Sequence, residues 1–147
     1  MPAMKTLISE ILYLMIAVGS ISGQAPSPRI EAAAARLAKA HIFAIGGVVF
    51  AGTTSDEEKD FRLIVGDDHA SDVFGTLYES GNNQAKAYAL LGLYLVNAGR
   101  FRDIYDSLST SKEELLLMRG CIVSKEKLSV IAKRIDNGQF LPQAPQK

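Results

Sequence analysis

The chain has one cysteine, no tryptophan and no excess charge of either sign. Its 147 residues contain 16 Lys and Arg against 16 Asp and Glu, and Cys121 is the single thiol. One cysteine excludes an intramolecular disulfide, so packing alone must stabilise the fold. A neutral chain also lacks the basic stripe that binds a phosphate backbone or an anionic membrane surface. We therefore expect neither nucleic acid nor a membrane surface as a partner.

The first two dozen residues have the three-part pattern of a secretory signal peptide. Lys5 precedes an apolar run, Ile11–Val18, and small residues follow it, although Glu10 departs from the pattern. A membrane-spanning helix needs roughly 20 apolar residues, so cleavage is favoured over retention as an anchor. We predict an exported protein, periplasmic or extracellular, with no stable membrane span after cleavage. Its predicted segments are a signal peptide at 1–22, a linker at 23–27, one helical domain at 28–140 and a disordered tail at 141–147.

Helix-forming patterns dominate the rest of the chain. Ser27 and Pro28 are a preferred N-cap and first helical residue, and the alanine-rich run behind them predicts a helix over 28–45. Thr54 and Ser55, each followed three residues later by glutamate, form overlapping capping boxes for a second helix. Five further helices are predicted. The first two run from Ser71 or Asp72 to Ser80 and over 84–96, and the next two begin after Gly99 and after Ser111. The last has Ser124 as its N-cap and ends at Asn137–Gly138.

The segment Gln84–Val96 is apolar on nearly every face, with Lys86 as its only charge. A helix of that character belongs at the centre of a bundle, where neighbours cover it on all sides. Two β-prone runs, Val48–Ala51 and Cys121–Val123, are short enough to pair as a two-stranded ribbon. The predicted fold is mainly α: a compact bundle of about five to seven helices with a short two-stranded β ribbon.

Residues 85–108 resemble one unit of a HEAT-type helical repeat. Ala85–Leu93 form an alanine-rich inner helix with Gly92 where two helices approach closely, and Phe101, Ile104 and Leu108 mark an amphipathic partner helix. The match covers about half of a full repeat unit. This resemblance implies a surface for binding another protein rather than a reaction, and it assigns no functional residue.

Two nucleophiles are candidates for catalysis. Cys121 would need His41 or His69 within hydrogen-bond reach, and its apolar neighbours instead predict a buried, inert thiol. Ser124 and Lys127 match the Ser-x-x-Lys pattern of penicillin-recognising serine enzymes. The Ser-Asp-Asn and Lys-Thr-Gly motifs that accompany it there do not occur in this chain, and a helix N-cap explains Ser124.

Phosphate and metal sites have weaker patterns. Gly47–Thr54 has the glycine spacing of a phosphate-binding loop, but Thr53 stands where the lysine should be, so a tight turn is favoured. The acidic group Asp56–Glu58 is interpreted as a solvated first helical turn that complements the helix dipole. The same interpretation covers the densest set of potential metal ligands, Asp67, Asp68, His69 and Asp72. No cofactor or metal is predicted.

These observations favour an exported, non-catalytic module that binds another protein, of which inhibitors and immunity-type proteins are examples. Such a module should carry an apolar or aromatic surface patch, for which Tyr78, Tyr94 and Tyr105 are candidates. One alternative is a small hydrolase or thiol enzyme that uses Cys121 or Ser124. The other is a structural component of an envelope assembly, which should self-associate.

Overall fold

The computed structural model describes residues 25–46 and 53–141. Six α-helices and a small sheet make up this part of the chain, which confirms the prediction of a mainly α fold. The predicted signal peptide, the β-prone run Val48–Ala51 and the tail beyond Leu141 lie outside the described residues. In the described ranges, no helix has both the length and the apolar character needed to span a membrane. The elements are α1 (Pro28–Leu37), β1 (Phe43–Ala44), α2 (Asp56–Val65), α3 (Ala70–Ser80), α4 (Asn83–Val96), α5 (Ala98–Ser107), a 3-10 turn (Leu108–Thr110), β2 (Glu114–Arg119), β3 (Ile122–Lys127) and α6 (Leu128–Asp136).

Helix α4 is the centre of the fold, as its apolar sequence predicts. Every residue from Ala87 to Leu93 is buried, and α2, α3, α5, α6 and two strands contact the helix. Asn82 caps it, because its side-chain oxygen accepts from the Ala85 N–H at 2.9 Å. A helix covered on all sides needs no polar stripe, which explains its sequence.

Helices α3 and α4 approach closely at a glycine. A methyl group on Gly92 would overlap the ring of Phe74, which is fully buried. Phe74 also contacts Phe61 of α2, with 5.5 Å between ring centroids. The glycine therefore makes room for the aromatic side chain that joins α2 and α3 to the central helix.

The sheet has three strands in the order β1-β2-β3, rather than the predicted two-stranded ribbon. β1 pairs with β2 in parallel, with Phe43 opposite Leu117, and β2 and β3 form an antiparallel hairpin. The prediction of a helix after Ser111 is wrong, because that segment is β2. Its side chains alternate between the core and the surface: Leu115 and Leu117 are buried, whereas Glu114 and Leu116 are exposed.

Several predicted helix ends are confirmed. The hydroxyl of Ser27 accepts from the Ile30 N–H at 3.4 Å, and that of Ser55 accepts from the Glu58 N–H at 3.1 Å. Gly138, just after α6, has φ +72°, the left-handed conformation expected of a helix-ending glycine.

Other helix boundaries are wrong. α1 ends at Leu37 rather than at residue 45, because the following chain leaves the helix to pair Phe43–Ala44 with β2. α3 begins at Ala70, with His69 in the N-cap position, instead of being capped by Ser71 or Asp72. At the end of α1, pairing with a distant strand overrides the local pattern. At the start of α3 the hydrogen bonds are local, since the Ala70 N–H donates to the Asp67 carbonyl at 3.1 Å.

Candidate functional site

Cys121 lies in the turn of the β2–β3 hairpin and is exposed, so the prediction of a buried thiol is wrong. Arg119 pairs with Ile122, which leaves Gly120 and Cys121 as a two-residue turn. Gly120 has φ +58°, the conformation that such a turn demands. The turn therefore places the thiol at the tip of the hairpin, whereas its apolar neighbours in the sequence predicted a position in the core.

The structure does not bring the thiol together with a histidine. Within the described ranges, no hydrogen bond joins Cys121 to His41, which is exposed after α1, or to His69 at the start of α3. His69 is engaged elsewhere, with its Nδ1 3.0 Å from Oδ1 of Asp67. This geometry lacks the nucleophile-base contact of covalent catalysis.

Ser124 is in β3, so its prediction as the N-cap of the last helix is wrong. It pairs with Leu117, and α6 begins four residues later, with Lys127 in the N-cap position. Successive residues of a strand point to opposite faces, so Ser124 and Lys127, three apart, lie on opposite sides of the sheet. The Ser-x-x-Lys pattern therefore does not bring its lysine to its serine.

The predicted metal-ligand group is arranged as a helix-entry turn. Oδ1 of Asp67 accepts from the His69 backbone N–H at 2.9 Å, and this hydrogen bond lowers the pKa of Asp67 below its usual value. Asp72 lies 3.6 Å from the Arg100 guanidinium. Across residues 25–46 and 53–141, no set of three or more such side chains is placed to hold a metal ion. The two aspartates thus have separate protein partners.

Glu58 is buried, with only 1% of its surface exposed, so the interpretation of Asp56–Glu58 as a solvated turn is wrong for this residue. Its Oε2 accepts from the Gly46 N–H at 3.0 Å, and its Oε1 accepts from Arg62 at 2.6 and 2.9 Å. The guanidinium compensates the buried charge, and the carboxylate holds the chain after β1 against α2. No sequence signal distinguishes Glu58 from Glu57, because both fit a capping box.

The three tyrosines predicted for a surface patch are only partly exposed. Tyr78, Tyr94 and Tyr105 are half-buried and pack against the hydrophobic core. Exposed apolar side chains concentrate instead on the β2–β3 hairpin, where Leu116 is 40%, Val123 49% and Ile122 73% exposed. The hairpin is therefore the candidate site for binding.

The outer face of the hairpin has an apolar end and a charged end. Met118 lies opposite Val123 near the turn, and Leu116 lies opposite Lys125 one step further from it. Lys125 Nζ is 2.8 Å from Oε2 of Glu114, and this contact raises the pKa of Lys125 and lowers that of Glu114. Apolar contact area thus lies near the tip, and charge lies near the base.

The base of the hairpin is fixed to the helices. The Leu128 N–H donates to the Glu113 carbonyl at 2.8 Å, and Lys86 of α4 forms an ion pair with the Glu113 carboxylate. The Arg134 guanidinium of α6 lies 3.3 Å from Oε1 of Glu126. A hairpin held in this way loses little conformational entropy when its tip binds a partner.

Strand β3 forms one edge of the sheet, since within the described ranges it pairs only with β2. The outer backbone of an edge strand offers N–H and C=O groups to an added strand. Sequence reasoning missed this site because it assigned β2 to a helix. Glu114–Leu117 contains three successive leucines and Ser124–Lys127 contains no apolar residue, so neither run shows the period-two alternation that would indicate a strand.

Comparison with protein-family models, with curated proteins and with solved structures gives no match to this chain. Function is therefore argued from the geometry of the hairpin and from the sequence.

Proposed function

We propose that this protein is an exported, non-catalytic binding module whose β2–β3 hairpin accepts an extended segment of another protein. The observation that carries the proposal is the exposure of Val123 and Ile122, on the two faces of the open edge strand β3, with Leu116 of β2 on the same outer face as Val123. An extended segment that adds to a sheet edge gains backbone hydrogen bonds for affinity and side-chain contacts for specificity. Inhibitors and immunity-type proteins are modules of this general kind.

The side chains of β3 indicate what the added segment contains. On the outer face, Val123, Lys125 and Lys127 follow one another from tip to base, and Lys125 is engaged by Glu114. A strand added to this edge places alternate residues on the same face. We expect an apolar residue beside Val123 and an acidic residue beside Lys127 in the partner segment.

Export is the second part of the proposal and rests on the sequence of residues 1–22. A leader removed on export would deliver a neutral chain with one thiol to an oxidising compartment, where packing alone stabilises it. The resemblance to a HEAT-type unit supports the binding role. α4 and α5, separated by Asn97 alone, pack through Tyr94 and Phe101, whose ring centroids are 5.2 Å apart.

The binding test compares three forms of the mature chain in quantitative pull-downs from an envelope extract. The parent chain is compared with an Ile122→Lys, Val123→Lys double variant and with a Val130→Lys control. Val130 is also an exposed valine, but it lies on α6. We expect the same protein to be retained by the parent and the control and to fall at least about tenfold with the double variant, which corresponds to about 1.4 kcal/mol.

Equal retention by all three forms would refute the role of the hairpin. Circular dichroism spectra of the three chains should coincide, because each substituted side chain is at the surface. Concentration-dependent self-association of the parent, with no second protein retained, would support the structural alternative instead.

A further inference from the structure

A cavity of about 490 Å³ lies between α2, α4 and the segments that follow β1 and α6. None of the described residues that line it belongs to β2 or β3, so this cavity is separate from the hairpin. The apolar side chains that line it include Ile45, Phe61, Val65, Leu95, Phe140 and Leu141. A volume and a lining of this kind are typical of sites for small, largely apolar molecules.

Contacts with the rest of the fold hold the walls of the cavity in place. The Phe140 ring meets Phe43 of β1 edge-on, with 5.2 Å between ring centroids. The Leu141 N–H donates to the Gly138 carbonyl at 3.2 Å. Leu95 and Leu141 nevertheless keep 42% and 39% of their surface exposed. A bound apolar chain would cover this surface and would need little reordering of the protein.

Glu58 and Arg62 are the charged residues among the described lining of the cavity. The Glu58 carboxylate is already occupied, because Gly46 and Arg62 donate to its two oxygens. The Arg62 side chain is 59% exposed, and its Nε and Nη2 both donate to Glu58. Within residues 25–46 and 53–141, its Nη1 has no hydrogen-bond partner. A ligand in the cavity therefore meets a positively charged donor rather than a carboxylate.

We propose that this cavity binds an aliphatic monocarboxylate. The carboxylate of the ligand accepts hydrogen bonds from the outer edge of the Arg62 guanidinium, and its alkyl chain packs against Phe61 and Leu95. A guanidinium suits a carboxylate because its planar N–H donors match the two carboxylate oxygens. Glu58 holds the guanidinium in one orientation, so the ligand does not have to order a free side chain. This site depends neither on the hairpin nor on export.

The first test compares three ligands with the same alkyl chain: octanoate, octanol and octylamine. Each is titrated into the full 147-residue chain, and binding is followed by nuclear magnetic resonance chemical shifts. At neutral pH, octanoate is anionic, octanol is neutral and octylamine is cationic. We expect octanoate to bind at least about tenfold more tightly than octanol, and octylamine to bind more weakly than both, because it meets a like charge. The shift changes should concentrate on the residues that line the cavity.

The second test removes the guanidinium without leaving a buried charge. Arg62→Gln alone would leave the Glu58 carboxylate uncompensated, so it is combined with Glu58→Gln. The matched control combines Arg36→Gln with Asp60→Asn, which removes a guanidinium–carboxylate pair that joins α1 to α2 outside the cavity. The Arg36 side chain is 60% exposed, close to the 59% of Arg62.

We expect the variant with Glu58→Gln and Arg62→Gln to bind octanoate and octanol equally, with an affinity for octanoate at least about tenfold lower than that of the parent. The control variant should keep the preference for octanoate. Equal affinities of the parent for octanoate and octanol, or shift changes that concentrate outside the cavity, would overturn the proposal, and neither result depends on whether a variant folds. An unchanged affinity for octanoate in the folded cavity variant would overturn it as well.

Discussion

At the scale of single residues, burial of a few side chains determines how the helices fit together. The backbone of Gly92 lies against the Phe74 ring, and Glu58 has a compensating guanidinium and a backbone donor. Sequence reasoning placed Gly92 correctly as a close-approach residue, because alanine-rich helices with a glycine pack at short distance. It placed Glu58 at the surface, because nothing local shows that the chain after β1 covers it.

We expect Gly92→Ala to destabilise the protein by about 1–3 kcal/mol, because the added methyl group would displace a buried ring. Gly99→Ala is the matched control. Gly99 is exposed in the first turn of α5, so the change should be neutral or stabilise by up to about 1 kcal/mol. Urea unfolding followed by circular dichroism measures both. Coincident midpoints for Gly92→Ala and the parent would contradict the close approach.

At the scale of elements, a single tyrosine joins the central helix to the first strand. The hydroxyl of Tyr88 accepts from the Ala44 N–H at 3.0 Å and lies 3.1 Å from the Ala44 carbonyl oxygen, to which it donates. Its ring meets Phe43 edge-on, with 4.8 Å between centroids. This contact adds to the pairing of Phe43 and Ala44 with β2, and together they hold residues 43–44 in an extended strand.

We expect Tyr88→Phe to cost about 1–3 kcal/mol at neutral pH, because the Ala44 N–H loses its buried acceptor. The stability of the same variant should fall less steeply than that of the parent as the pH rises above about 10. Burial raises the pKa of Tyr88 above its ordinary value of about 10, so between about pH 10 and that raised pKa the unfolded chain binds fewer protons than the folded one. Stability therefore falls as the pH rises above about 10, and this residue contributes up to about 1.4 kcal/mol per pH unit to the fall.

Urea unfolding at neutral pH and at several values above about pH 10 measures both effects. Tyr94→Phe, at a half-buried position, is the control, and it should retain the steeper alkaline loss. If the free energies of unfolding of Tyr88→Phe and the parent fell equally with rising pH, Tyr88 would not be the source of the alkaline loss of stability.

At the scale of the whole molecule, the described residues 25–46 and 53–141 contain a hydrophobic core, and the proposed leader precedes them. If the leader is removed as proposed, the chain recovered from a bacterial host that exports it should begin at Gly23. Intact mass and N-terminal sequencing measure this directly. A full-length chain that remains in the cytosol would contradict export, and it would leave the binding role of the hairpin to be judged by its own test.

The sequence by itself determined the mainly helical fold, the central position of α4 and the caps at Ser27, Ser55 and Gly138. These features depend on residues within a few positions of one another, so local periodicity and capping chemistry specify them. The tertiary structure alone decided that Glu114–Arg119 is a strand, that Glu58 is buried and that Cys121 is exposed. The first two depend on partners distant in sequence, as when Phe43 pairs with Leu117, and local patterns do not encode such contacts. The exposure of Cys121 follows from the hairpin, because its two-residue turn forms only once β2 and β3 pair.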